Sequence, residues 1–149
     1  MKKTNDKDYE KSNKIESVAL NRFSKTEYQK LLQDGNRQKL AQALVNYLCG
    51  KFHIPSVSVL VTNTPQPHST GYNGKLKSKT FGFYRPILNT ITIYNTTAIR
   101  KQTISIKVFA ETLLHEFMHH YDTCYLKIQS MHTAGFYKRI SDLQSKLSE

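Results

Sequence analysis

Residues 103–122 contain neither Gly nor Pro, and their apolar positions recur with helical rather than strand spacing. At about 100° per residue, Ile106, Ala110, Leu113 and Phe117 fall within about 40° of one line along such a helix. His115, His119, Asp122 and Glu111 fall within about 40° of the opposite line. A helix here packs one face into a core and gathers imidazoles and carboxylates on the other. The rest of the chain has to be arranged around that division.

The same helix contains His115-Glu116-Phe117-Met118-His119, an HExxH pattern whose two histidines lie on the polar face. Two imidazoles four residues apart on a helix can bind one zinc ion, and the Glu beside the first can act as general base. A catalytic zinc site normally has three protein ligands and one open position. His132, Asp122, His120, Glu111, His68 and His53 are the residues available for the third place. His120 points about 100° away from His119 and cannot share its metal. Asp122 and Glu111 lie about one turn from the histidines, where a carboxylate more readily accepts an imidazole N–H than binds the ion. His132 follows a connection long enough to turn the chain, so it leads, with Asp122 and Glu111 as alternatives. His53 and His68 have no spacing partner and read as surface or turn residues.

The other elements follow from local pattern. Residues 1–34 are polar and read as a flexible tail with a short apolar cluster at Val18, Leu20 and Phe23, leaving 35–149 as one domain. Leu40, Leu44, Tyr47 and Leu48 predict a helix capped by Asn36 and ended near Gly50 and Pro55. SVSVLV at 56–61 predicts a strand, 62–79 a long loop, and 79–85 with 89–95 a pair of strands. Phe136, Ile140, Leu143 and Leu147 predict a last helix from about Thr133. The order of elements is an α+β plan with a small three-stranded, mainly antiparallel sheet.

Charge is distributed unevenly. The 149 residues hold 22 Lys and Arg against 11 Asp and Glu, a formal net charge of +11. Ten of the basic residues and none of the acidic ones lie in 35–110. Lys75, Lys77 and Lys79, with Arg85, Arg100, Lys101 and Lys107, alternate with Tyr72, Phe81 and Tyr84, a combination suited to nucleic-acid backbone contact with stacking. Cys49 and Cys124, with no apolar run near the roughly 20 residues of a membrane span, suggest a reduced cytoplasmic setting.

HEFMHHYD followed by MHTAGFYKRI resembles the SprT-like group of small zinc metallopeptidases. There HExxH is followed, after a short connection, by a third His in an H-x-x-G-F or H-G-x-x-F setting that opens the last helix. The resemblance covers roughly residues 55–145. It implies one zinc ion per chain on His115, His119 and His132, with Glu116 as the catalytic carboxylate. It also implies a zincin-like fold in which the sheet packs on the HExxH helix. No match exists for the first residues, and no Cys-rich ribbon follows.

The expected activity is hydrolysis of peptide bonds in a protein substrate, by a water made acidic on zinc and deprotonated by Glu116. A tetrahedral oxyanion needs a further donor, for which Arg139, Tyr94, Tyr121 and Tyr137 are available. Arg139, seven residues after His132, leads, and Tyr121 falls toward the core side. The strand at 89–95 is a place for an extended substrate if it forms an edge. The rival expectation is a zincin-fold module that binds nucleic acid or protein and has a zinc site of little turnover.

Overall fold

A computed structural model describes residues 4–20 and 23–148 of the chain. The α-helices are α1 (Thr4–Lys14), α2 (Lys25–Leu32), α3 (Arg37–Phe52), α4 (Ile106–Tyr121), which a π-helical turn (Asp122–Leu126) continues, and α5 (Ala134–Ser148). The strands are β1 (Ser58–Pro65), β2 (His68–Thr70), β3 (Leu76–Lys79), β4 (Gly82–Arg85) and β5 (Thr90–Thr96). The architecture is α+β, with a three-stranded sheet and helices. No helix among the described residues is long and apolar enough to cross a membrane.

Helix ends obey local chemistry. Asn36 Oδ1 accepts from Lys39 N at 3.0 Å to start α3, which ends at His53 in the left-handed region. Ser105 Oγ accepts from Val108 N at 3.2 Å to start α4 at Ile106, three residues after the Gly- and Pro-free run begins. Ile106 is consequently on the first turn and stays exposed, while Ala110, Leu113 and Phe117 are buried as their spacing predicts.

The sheet order is β1-β5-β4, with β5 in the centre. β1 runs parallel to β5 and β4 antiparallel to it, so the sheet is mixed rather than mainly antiparallel. The segment expected as a loop at 62–79 causes this: it continues β1 and folds into the β2–β3 hairpin, which lets β5 return alongside β1 in the same direction. Ile91 and Ile93 are fully buried on the sheet's inner face.

Helix α3 closes the outer edge of β1. Gln38 exchanges bonds with Val59 O (2.7 Å) and Val61 N (2.8 Å), and Gln42 with Val57 O and Val59 N (both 2.9 Å). Those side-chain amides take the place of a further strand. β4 is the sheet's other edge. It lies so close to its neighbours that a Cβ on Gly82 would come within 2.6 Å of Thr92 O on β5 and 3.3 Å of Thr112 Cγ2 on α4.

The expected flexible tail is not what residues 4–20 form. α1 and α2 pack on the domain, with Ser12, Val18 and Tyr28 buried. The physical reason is that α1 is held by polar groups, among them the Arg139 guanidinium, so it needs no apolar stripe. Residues 1–3, 21 and 22 of the expected tail lie outside the described residues.

Candidate metal centre

Two elements bring the site together. α4 presents His115 and His119 one turn apart, and the segment between α4 and α5 brings in His132. His132 Nε2 lies 3.2 Å from His115 Nε2 and 3.0 Å from His119 Nε2, and the three nitrogens lie within 4.8 Å of one another. Zinc–nitrogen bonds of about 2.05 Å at tetrahedral angles separate their nitrogens by about 3.3 Å, close to these spacings.

Two of the donors, His115 and His119, also have the right protonation. Ser130 Oγ donates its one proton to Asp122 Oδ2 at 2.8 Å, so it accepts from His119 Nδ1–H at 2.7 Å. That leaves a lone pair on His119 Nε2, aimed at the cluster. Burial, reinforced by His132, lowers His115 to a pKa of about 4. Burial, with His115 and His132, lowers His119 to about 3. Both imidazoles are thus neutral at pH 7, as metal ligation requires. His115, His119 and His132 could together hold a single metal ion.

The cluster rests on Phe136. This fully buried ring stacks on His119 at 4.6 Å between centroids and meets His115 at 5.1 Å and His132 at 5.3 Å. The roles of Phe136 and Ser130 at the cluster both escaped the sequence reading. Phe136 was visible as one position of an apolar stripe and of the H-x-x-G-F setting but not as a support for the cluster, and Ser130 carries no local signal.

A cleft of about 580 Å³ opens in front of the histidines, between Gly82, Phe83 and Tyr84 of β4 and Ile128–His132. A second lobe of about 510 Å³, lined by Phe81, Val108, Glu111 and Thr112, shares Gly82, His115 and Glu116 with the first. Glu116 stands where the two lobes meet, only 7% exposed, and burial pushes its carboxyl up to about 7.

The remaining sequence-derived residues divide clearly. Arg139 does not reach the cleft. It is fully buried on the far side of the cluster, paired with Asp122 Oδ2 at 2.8 Å. The seven-residue spacing from His132 misled because His132 precedes α5, so helical arithmetic does not fix its direction. Tyr137 takes the place beside the cluster, half-exposed and 5.9 Å from His132 and 6.1 Å from His115 between ring centroids. Tyr121 is buried, its hydroxyl accepting from Ala19 N at 3.1 Å. Tyr94 lies on the outer sheet face against Phe83.

Asp122 acts on His119 through Ser130, as a supporting carboxylate would, whereas Glu111 is exposed in the second lobe. His120 is buried, donating from Nε2 to Pro55 O at 2.7 Å and accepting at Nδ1 from Tyr84 OH at 3.0 Å, so it ties α4 to β4. His53 and His68 are exposed and are not part of the cluster. Cys49 and Cys124 are unpaired thiols.

No curated protein and no solved structure matches the chain. A protein-family model described only as "-like", with no function attached, matches residues 71–146. That span runs from the β2–β3 hairpin through α4 and most of α5, and it includes His115, Glu116, His119 and His132. Since it covers just over half of the 149 residues, the chain belongs to that family.

Proposed function

We propose that this protein is a zinc-dependent peptidase of the SprT-like, zincin-like kind, hydrolysing peptide bonds in protein substrates. The observation that carries the reading is the convergence of three imidazole nitrogens beside Glu116 in a cleft bounded by a sheet edge. Zinc bound there would polarise a carbonyl and make a water acidic enough to ionise near neutral pH.

The chain's own groups do the rest. Glu116, buried where the lobes meet, takes a proton at its carboxylate and passes it to the leaving amine nitrogen. The Tyr137 hydroxyl replaces Arg139 as donor to the developing oxyanion. With β1 closed off by Gln38 and Gln42, the available edge is β4 rather than the central β5. An extended peptide can pair along β4 with side chains entering either lobe. A site that held zinc only for stability would need no carboxylate at Glu116, which favours turnover over the binding-module alternative.

Metal analysis tests the ligand set. Purified protein is expected to hold about one zinc per chain, strongly reduced in His132→Ala and nearly unchanged in His120→Ala. Equal retention in the two variants would remove His132 from the site.

A second reading is favoured by the hairpin. Every residue of β2 and β3 is exposed, and Lys77 and Lys79 share one face of β3 beside a fully exposed Tyr72 at the turn. Such a surface suits the phosphate backbone of a nucleic acid. Binding to single-stranded DNA is expected to weaken steeply between 50 and 200 mM salt, roughly tenfold or more, and to drop on charge reversal of Lys75, Lys77 and Lys79. Salt-independent binding would exclude this surface.

A further inference from the structure

Helix α1, outside the span matched by the family model, grips the segment that carries Ser130 and His132. Lys11 Nζ donates to Leu126 O at 2.8 Å, and Gln129 N donates to Asp8 Oδ2 at 2.9 Å. Ser12 Oγ lies 2.8 Å from Thr133 Oγ1, and Gly135 N donates to Asn13 Oδ1 at 3.4 Å. These contacts are spread from one end of the segment to the other.

The same helix completes the surroundings of Arg139. Its Nη1 donates to Ser12 O and Ile15 O, both at 2.6 Å, and its Nη2 donates to Ser12 Oγ at 3.0 Å and Asp122 Oδ2 at 2.8 Å. Carbonyls in the last turn of a helix have no partner within the helix, and a cation placed there satisfies them. The guanidinium thus joins the end of α1 to the Asp122–Ser130–His119 chain. Close approach makes this possible: a Cβ on Gly135 would lie 2.1 Å from Ser12 O and 2.9 Å from the Asn13 backbone.

His132 sits outside any helix, yet a metal site requires its ligands placed to within about 0.5 Å. We infer that α1 is a clamp that positions the third metal ligand. It holds 126–135 against the body of the domain and, through Arg139 and Asp122, orients His119. Asp8, Lys11, Ser12 and Asn13 are its positioning residues. This inference rests on the metal-site reading above.

Two full-length variants test it. Gly135→Ala forces α1 away without removing a polar group, and Asp8→Ala with Lys11→Ala removes only two outward contacts. Three quantities are measured in each: amide hydrogen exchange at Gln129 and Gly135, Zn²⁺ affinity by competition with a chromogenic chelator, and the visible absorption of the Co²⁺-loaded protein. Faster exchange, a Zn²⁺ affinity lower by about 10–100-fold and a weakened tetrahedral Co²⁺ band are expected, with cooperative unfolding retained. If Gly135→Ala does not fold, the Asp8/Lys11 variant decides. Unchanged exchange, or faster exchange with Zn²⁺ affinity within twofold of wild type, overturns the clamp. Wild-type protein that takes up neither ion overturns the metal-site reading itself, an outcome distinct from the other two.

Discussion

Glu116→Gln is expected to retain about one zinc per chain while lowering the rate of protein hydrolysis by at least 10²–10⁴-fold. The substitution keeps the size and hydrogen-bonding shape of the side chain but removes its capacity to take a proton. Nothing in the ligand set changes, because Glu116 stands between the cleft's two lobes and the three nitrogens come from His115, His119 and His132. The assay is cleavage of an unfolded protein substrate, with metal content measured on the same samples. A variant that cleaves at the wild-type rate would end the peptidase reading. Loss of zinc together with activity would instead show that Glu116 supports the metal. Comparison of the proteins that accumulate in cells carrying Glu116→Gln rather than wild type would then identify substrates.

Arg139→Met is expected to destabilise the fold by about 3–5 kcal/mol, the usual cost of leaving one member of a buried pair uncompensated. At this chain length that corresponds to a fall of roughly 10 °C in Tm. Both partners are fully buried, so solvent screening does not reduce the effect. The Ser12 and Ile15 carbonyls lose their donor at the same time. Adding Asp122→Leu to Arg139→Met removes the stranded charge and should recover part of the stability. It should not recover zinc affinity, because Ser130 then has no acceptor and no longer fixes the His119 tautomer. Arg139→Met at wild-type stability would show that the pair contributes nothing. Full recovery of zinc affinity in the double variant would disconnect the pair from the site.

The helices α3, α4 and α5 were legible because each buries an apolar stripe, and Asn36 announced the start of α3. The strands at β1, β4 and β5 were legible to within a few residues through β-branched and aromatic runs, of which Val59, Ile91 and Ile93 are buried. The β2–β3 hairpin was not, because none of its residues is buried and its register is set by backbone pairing such as His68↔Lys79. α1 was not legible either. Its buried face is Ser12 together with its own carbonyls, and the partner that makes such a polar face stable lies 127 residues away in Arg139.

The sequence by itself determined the half of the site that one helix can hold: His115, Glu116 and His119 are placed by helical spacing alone, independent of what surrounds them. Only the tertiary structure decided the other half. His132 meets the pair because the chain turns back between α4 and α5. Ser130 and Asp122 support His119 because Arg139 and α1 neutralise and cover them. Tyr137, not Arg139, lies beside the histidines, because α5 begins after His132. Each of these depends on contacts between residues distant in the chain, whose relative directions no local periodicity specifies.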